Sequence, residues 1–408
     1  MASSSSSIDE KLDTLGKDSH PRHLLATAVL APGSADNAVR SGSQRVHSNR
    51  ETTKRGELQR TASVRGVYND RPSVDRNGYQ RVRSLGAGAF GTVDVVFHTK
   101  RPGIEYARKR FELPTLDEPM EVQLIRHASG HRHTSKFVDY YFLKNEPMNL
   151  HSIITSPVAN FTLRYYLSFV HDMPYRNAVE FPERFGEFRL QLMKWVPCVV
   201  GALAYLASKG IRHRDIKPEN ILVHGNNIIL TDFGTSFVNQ HSTQQGRTGT
   251  IGTPSYEPPE ALIVQGDEDS GHMDNTAKRM RAGRLGDVFS TGAVIYDMLS
   301  AASGPFVQLP FVEGTYASWV LSEDFCRQNW NLKERKVHLR RYCSEQARLE
   351  GLFEGWFQLV MTHMLTKSPE TRKSAAELCK LFYQVEERVL GYKSINDCQE
   401  CRRTYGER

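Results

Sequence analysis

Cysteine is scarce in this sequence, and we expect neither a long apolar run nor an N-terminal secretion signal. Six cysteines are spread over 408 residues, which favours reduced thiols in a cytoplasmic or nuclear protein over a disulfide-rich secreted one. No apolar run approaches the roughly 20 residues that a membrane span needs. The short apolar patch at 24–31 has no basic segment before it, so we expect neither a signal peptide nor a membrane span.

Residues 1–75 contain almost no aromatic side chains and are rich in serine, arginine, asparagine and glycine. Such a segment cannot bury enough apolar surface to offset the entropy lost on ordering. We therefore predict a disordered Ser/Arg-rich tail over 1–75, with ordered structure beginning near Gly78.

The net charge of +7 and the pI of about 9 are compatible with a nucleic-acid or acidic membrane partner. A basic tail and scattered surface lysines and arginines explain the same charge more simply. We expect no specific nucleic-acid partner.

Cys398 and Cys401 form one Cys-x-x-Cys pattern near the end of the chain. A tetrahedral zinc site needs two more ligands, and the sequence places none close to this pair. The pattern alone therefore does not favour zinc, and 391–408 is expected to be a C-terminal tail.

The residues with the clearest chemistry lie at 213–220, which read His-Arg-Asp-Ile-Lys-Pro-Glu-Asn. Asp215 can orient a substrate hydroxyl and accept its proton. Lys217 adds a positive charge two residues further on, and Asn220 offers an amide oxygen suited to Mg²⁺. Two short apolar runs around a Gly-Asn-Asn turn come next and predict a β-hairpin, after which Asp232 opens an Asp-Phe-Gly sequence.

This order of motifs resembles the H-R-D-x-x-x-x-N loop and the D-F-G element of eukaryotic protein kinases. The resemblance implies a catalytic aspartate at Asp215 and Mg²⁺ ligands at Asn220 and Asp232. It extends over about 78–390 and implies an α+β, bilobal protein kinase fold. The expected N-lobe and hinge cover 78–158, and the expected helical C-lobe covers 159–390.

A glycine-rich stretch at 86–91 lies between two predicted strands, 79–85 and 92–98. A position between two strands argues against a dinucleotide-binding βαβ unit and resembles the glycine-rich loop of kinases. In the next strand Lys109 would reach the α- and β-phosphates of ATP. Strand alternation is expected to turn Arg108 and Arg110 to the opposite face, towards solvent.

The glutamate that pairs with Lys109 is expected on the following helix. Glu121 is the preferred candidate, and Glu118 is the alternative. Pro114 and Pro119 predict that this helix starts late or is short.

Aligning Val158 with the family hinge makes Thr155 the residue beside the adenine pocket. The Ser156 carbonyl and the Val158 amide would then bond adenine, whereas the simpler alternative is an edge strand that ends at Pro157. The implied cofactors are ATP and Mg²⁺, and the implied ATP-site residues are Leu85, Gly86, Gly88, Gly91, Val93, Ala107, Lys109, Thr155, Ser156, Val158 and Leu222.

The segment 252–260 resembles the G-T-x-x-Y-x-A-P-E element, with Pro258 in place of alanine. Glu260 is expected to form a buried ion pair with Arg372. Asp287 is expected to brace the backbone of the catalytic loop. The stretch 265–284 is longer than usual in the family and predicts a surface insertion.

Arg214 precedes Asp215, and kinases with arginine there are often switched by phosphorylation of this segment. Thr250 is the preferred site and Thr248 the second, while Thr253 is expected to bond Asp215 instead. The alternative is a mobile loop with incidental threonines.

Lys217 and Thr253 resemble the serine/threonine-specific pattern, so we expect a serine/threonine protein kinase with protein substrates and an upstream kinase as partners. A pseudokinase is the alternative, but it would lack Lys109, Asp215 or Asp232, and all three are present. A small-molecule kinase is disfavoured by the docking element at 252–260.

Overall fold

The computed structural model has two lobes and a short segment packed at the C-terminal end of the second. The predicted tail at 1–75 lies almost wholly outside the described residues, so its disorder stays a prediction. The described residues are 74–88, 91–144, 147–171, 182–238, 253–263, 275–303, 315–321, 344–391, 395 and 398–401.

The N-terminal lobe is an antiparallel five-stranded sheet with one helix, α1, between its third and fourth strands. The strand order is β1-β2-β3-β5-β4. The elements are β1 (Tyr79–Gly88), β2 (Gly91–His98), β3 (Arg101–Leu113), α1 (Met120–Ala128), β4 (Lys136–Leu143) and β5 (Asn149–Ser156).

The register of the sheet gathers the expected ATP-site positions on one face. Lys109 of β3 lies opposite Val93 of β2, and Ala107 lies opposite Thr155 of β5. Directly opposite residues in an antiparallel pair point to the same face, and so do residues two apart in one strand. Val93, Ala107, Lys109 and Thr155 therefore share a face.

The opposite face of β3 is not open to solvent, so the expectation for Arg108 is wrong. Arg108 is 5% exposed and contacts the carboxylate of Asp94, which is 1% exposed. Arg110 and Arg81 bond the same carboxylate, and Asp75, just before β1, pairs with Arg108 at 2.8 Å. Alternation identifies the face of a residue, but distant residues decide whether that face is covered.

Helix α1 begins directly after Pro119 and is nine residues long, which confirms the predicted late start. Proline fixes φ and has no N–H to donate, so it is tolerated just before a first helical turn. The helix buries Val122, Leu124 and Ile125 and carries Glu121 in its first turn.

The C-terminal lobe is mainly helical, and its core is the packing of α3 on α5 and α8. Small sheets carry the catalytic loop between them. The elements are β6 (Phe161–Thr162), α2 (Leu163–His171), α3 (Pro182–Ser208), β7 (Ile211–Arg212), β8 (Ile221–His224), β9 (Asn227–Leu230), β10 (Phe237–Val238), α4 (Pro259–Ile263), α5 (Asn275–Ser303), α6 (Tyr316–Leu321), α7 (Ser344–His363) and α8 (Ala375–Leu390).

The expectation that no apolar run approaches 20 residues is wrong for α3, because Gly186–Ser208 is long and apolar enough to cross a membrane by length and composition. Most of it is buried inside the domain, where it packs on α5 and α8. Its apolar character is therefore that of a central core helix.

The structure adds detail to two of the predicted segments. The predicted insertion 265–284 ends in helix, because its last residues, from Asn275 on, form the first turns of α5. The expected C-terminal tail is in part packed onto the domain, since Ile395, Cys398 and Cys401 are buried in the main hydrophobic core.

The expected pair between Glu260 and Arg372 is present, with Arg372 buried and Glu260 largely buried. The two guanidinium nitrogens of Arg372 lie 2.6 and 2.8 Å from the two carboxylate oxygens of Glu260. Arg372 also donates to the backbone oxygen of Leu285, and its guanidinium lies 5.0 Å from the ring centre of Phe289. This bidentate pair fastens α4 to the loop that precedes α8.

Arg372→Ala should lower the free energy of unfolding by about 3–5 kcal/mol, because it leaves the carboxylate of Glu260 without its buried partner. Thermal and urea unfolding of the purified protein measure this. The matched control is Lys373→Ala, which removes a half-exposed i,i+4 pair with Glu377 and should change stability by under about 1 kcal/mol. Equal effects of the two substitutions would contradict a special role for Arg372.

Candidate active site

Lys109 lies at the centre of a partly buried three-charge cluster. Its Nζ is 2.7 Å from Glu121 Oε1 and 3.2 Å from Asp232 Oδ1. The alternative partner Glu118 instead pairs with Arg126 at the surface, at 2.8 Å. The expected pairing with Glu121 is thus the one that the structure contains.

The protonation states in this cluster result from burial and from the opposite charges. Burial lowers the pKa of Lys109, but the carboxylates of Glu121 and Asp232 outweigh it and raise the pKa to about 12. Burial raises the pKa of Asp232, yet the ammonium group of Lys109 lowers it below its usual value. Near neutral pH, Lys109 is therefore an ammonium ion and Asp232 a carboxylate.

Asp232 is held in place by the side chain of the next residue. Phe233 is fully buried and packs against the ring of His213, with 5.2 Å between ring centres. The backbone of Asp232 has a positive φ of 62°, which is uncommon for a residue other than glycine. A buried aromatic anchor of this kind maintains such a conformation and keeps the carboxylate towards Lys109.

The catalytic-loop side chains converge on the carboxylate of Asp215. Lys217 Nζ is 2.8 Å from Oδ2, and the side-chain amide of Asn220 donates to the same oxygen at 3.0 Å. Asn220 also donates to the backbone oxygen of Asp215 at 2.8 Å. Because the nitrogen of this amide is engaged, its oxygen is left for a cation.

Thr253 connects the docking segment to this loop. Its hydroxyl accepts from Lys217 at 2.6 Å and donates to Asp215 Oδ1 at 3.0 Å. The expected contacts of Thr253 are therefore present, and the side chain is not free to act as a switch.

Asp287 braces the backbone of the catalytic loop, as expected. Its carboxylate accepts from the backbone amides of His213 and Arg214 at 2.7 and 2.8 Å. Burial raises the pKa of Asp287, and the two amides partly offset this. Arg214 has a positive φ of 70°, so these bonds hold a strained backbone just before Asp215.

The glycine-rich turn has one position that only glycine can fill. Gly91 has a φ of 111°, and a Cβ there would lie 2.0 Å from the backbone oxygen of Arg110. Gly86 and Gly88 lie in β1, and Gly88 pairs with Gly91 across the turn. The positive φ of Gly91 and the close approach of the β3 backbone at Arg110 are the physical reasons for glycine at position 91.

The expected hinge is a real chain connection between the lobes. Thr155 and Ser156 end β5, a cis peptide bond joins Ser156 to Pro157, and the Val158 carbonyl lies 2.8 Å from His224 Nδ1 of β8. Leu222 belongs to β8, directly after the catalytic loop, and Leu85 belongs to β1. The roles of these residues towards adenine stay predictions.

Sequence reasoning missed a polar network beneath the docking segment. The Tyr256 hydroxyl donates to Asp297 at 2.6 Å and accepts from Arg164 at 2.5 Å, while Arg164 also pairs with Glu219 at 2.8 Å. A lone acid within the apolar stretch of α5 was the available signal for Asp297, because a buried carboxylate requires donors. Thr248 and Thr250 lie outside the described residues.

The donor set suits the cofactors that the motifs imply. A carboxylate from Asp232 and an amide oxygen from Asn220 are hard oxygen ligands of the kind that Mg²⁺ prefers. Lys109 on β3 supplies a fixed positive charge for phosphate oxygens. These residues could hold a nucleotide triphosphate with its Mg²⁺.

Comparison with known proteins gives consistent results. The protein "CBL-interacting serine/threonine-protein kinase 20" of Arabidopsis thaliana is 32% identical over 188 residues, which are 44% of this chain and 39% of that protein. "CBL-interacting protein kinase 17" of Oryza sativa subsp. japonica is 29% identical over 229 residues, 54% and 43% of the two chains. The chain spans less than half the length of these curated relatives.

A more distant relative is "Rho-associated protein kinase let-502" of Caenorhabditis briggsae, 28% identical over 245 residues, 59% of this chain and 18% of that protein. The family model described as "Protein kinase domain" matches residues 79–383, well over half of the chain. The fold, the geometry around Lys109 and Asp215, and this match agree, and the chain belongs to the protein kinase domain family.

Proposed function

We propose that the chain is an active serine/threonine protein kinase that transfers the γ-phosphoryl group of ATP to hydroxyl groups of protein substrates. The observation that carries this proposal is the convergence of Lys217, Asn220 and Thr253 on the carboxylate of Asp215. The charged cluster of Lys109, Glu121 and Asp232 is assembled at the same time. A pseudokinase would lack one of these groups.

Phosphoryl transfer depends mainly on positioning and on neutralising charge. ATP with Mg²⁺ supplies the phosphoryl group when bound. Asp215 orients the substrate hydroxyl and accepts its proton, while Lys217 offsets negative charge on the transferring group. Asn220 and Asp232 would hold the Mg²⁺ ions through oxygen atoms, and Lys109 would bind the phosphates.

The substrate class rests on Thr253 and Lys217. Their mutual bond of 2.6 Å places the docking segment against Asp215, in the arrangement that resembles serine/threonine-specific kinases. We propose serine- or threonine-bearing proteins as substrates and the cytoplasm or nucleus as the location. The low cysteine content of the sequence supports that location.

Asp215→Asn should leave nucleotide binding intact and reduce transfer by about 10²- to 10⁴-fold, because it removes the proton acceptor but not the Mg²⁺ ligands. Phosphorylation of a peptide array measures transfer, and a fluorescent ATP analogue measures binding. The control Asp117→Asn changes an exposed acid on the β3–α1 connection and should be silent. Near-normal turnover by Asp215→Asn would show that the assignment is wrong.

Lys109→Met should abolish transfer and leave the protein folded but with a lower melting temperature, because the methylenes keep packing while Glu121 and Asp232 lose their cationic partner. Glu121→Lys should be similarly damaging, since it replaces the carboxylate 2.7 Å from Lys109 Nζ with a second positive charge. Glu118→Lys is the matched control, because Glu118 bonds Arg126 at the surface. If Glu118→Lys is the more damaging of the two in the array assay, the pairing in the active enzyme differs.

We propose that phosphorylation at Thr250, or at Thr248, activates the enzyme through Arg214. Burial lowers the pKa of Arg214, and the nearby charge of Asp287 partly offsets this lowering. A phosphate near this guanidinium would supply charge-assisted bonds and order the segment. The partner required is an upstream kinase or a second copy of this chain.

The Thr248→Ala, Thr250→Ala double variant should have reduced activity that phosphatase treatment lowers no further. Treatment of the wild-type protein should lower its activity to the same level, and mass spectrometry should locate the lost phosphate. Thr362→Ala, at an exposed position in α7, serves as the control. Full activity of the unphosphorylated double variant would rule out the switch without affecting the catalytic assignment.

A further inference from the structure

Four side chains of the types that bind metals, from three distant parts of the chain, lie together in the structure. His133 lies between α1 and β4, Cys198 lies within α3, and Cys398 and Cys401 come after α8. Their ligand atoms all lie within 4.8 Å of one another, and all four residues are buried. The cluster is separate from the residues around Lys109 and Asp215.

The sequence expectation that no ligands accompany the Cys-x-x-Cys pair is wrong in three dimensions. His133 Nε2 is 3.2 Å from Cys398 Sγ, although the two residues are 265 positions apart. Cys198 comes from the middle of the core helix. Spacing along the chain could not reveal this set, because the fold alone brings the three segments together.

We propose that His133, Cys198, Cys398 and Cys401 bind a structural Zn²⁺ ion. Three cysteines and one histidine form a common ligand set for structural zinc. Zn–S distances of about 2.3 Å in a tetrahedron place sulfur atoms about 3.8 Å apart. The cluster, with one contact of 3.2 Å and no separation above 4.8 Å, has the size of one such ion.

The hydrogen bonds around the cluster orient its ligands for a metal. His133 Nδ1 lies 2.9 Å from the backbone oxygen of Ile228 and therefore carries the proton. Nε2 then presents its lone pair to the sulfur atoms, the tautomer that a zinc ligand needs. The backbone amide of Cys401 also bonds the Cys398 sulfur, which stabilises a thiolate.

Gly201 provides steric evidence for the same arrangement. It lies one helical turn after Cys198, and a Cβ at this position would be 2.7 Å from Cys401 Sγ. An alanine in a helix interior normally adds about 1 kcal/mol of stability over glycine. At this position it would instead displace a ligand, so the glycine leaves room for the sulfur.

The simpler explanation is a cluster of ordinary buried thiols. Cys379 is an example of an ordinary buried thiol in this structure. Cys379 is 1% exposed and free, yet it stands outside the four-residue set. A disulfide would use only two of the three cysteines and leave His133 facing the third. A metal ion is the one partner that uses all four groups at once.

The ion would join the end of the domain to both lobes. The same region already has weaker contacts, in which the Arg132 amide donates to Glu400 at 3.2 Å and the rings of His131 and Tyr205 stack at 4.9 Å. His133 lies shortly after the helix that carries Glu121. Zinc binding therefore contributes free energy to folding and holds the C-terminal end of α1 in place.

Metal analysis of the full chain, purified without chelators, tests the proposal directly. We expect one zinc ion per chain in the wild type and in Cys379→Ala, and a loss of most of the zinc in Cys198→Ala and Cys398→Ala. Asp215→Asn should keep its zinc, so this outcome does not depend on the proposed kinase activity. A wild-type protein without zinc, or a Cys398→Ala variant with full zinc content, would overturn the site.

A second measurement does not depend on the folding of any variant. Exchange of the wild-type metal for Co²⁺ should give the intense visible bands and the sulfur-to-cobalt charge-transfer band of a tetrahedral thiolate site. Chelation should also lower the melting temperature of the wild type. A disulfide between Cys398 and Cys401 in freshly purified protein, or cobalt spectra of an octahedral aquo ion, would contradict the proposal.

Discussion

The ammonium group of Lys109, enclosed between the carboxylates of Glu121 and Asp232, is the interaction on which the arrangement of the active site depends. A buried charge is tolerated only with partners, and each of these partners comes from a different element. The sheet supplies Lys109, α1 supplies Glu121, and the segment after β9 supplies Asp232. The two lobes therefore cannot separate here without exposing or unpairing a charge.

Local order along the chain made much of the site predictable. The residues at 213–220 and at 232–234 have the order and spacing of the kinase motifs, so Asp215, Asn220 and Asp232 could be assigned from the sequence. The sequence only partly distinguished Glu121 from Glu118 as the partner of Lys109, because the two glutamates are three positions apart and the choice depends on where the helix begins. Pro119 nevertheless predicted the late start of α1, because proline is tolerated just before a first helical turn.

The features that sequence reasoning missed all depend on distant contacts. Arg108 is kept from solvent by ion pairs with Asp94 and with Asp75, and Asp75 precedes the sheet. Asp297 is satisfied by tyrosines of other segments, and Cys398 lies beside a histidine from the other end of the domain. Periodicity predicts which face a residue occupies but not which part of the chain packs against it.

The carboxylate of Asp215 restricts the direction of substrate approach. A carboxylate offers about four acceptor directions, and the described residues Lys217, Asn220 and Thr253 engage three of them. Among the described residues this leaves one acceptor direction, along which the hydroxyl of a substrate would approach in the proposed reaction. Only a hydroxyl that approaches in this direction could hydrogen-bond to the carboxylate of Asp215. The orientation of the substrate would therefore be selected before proton transfer.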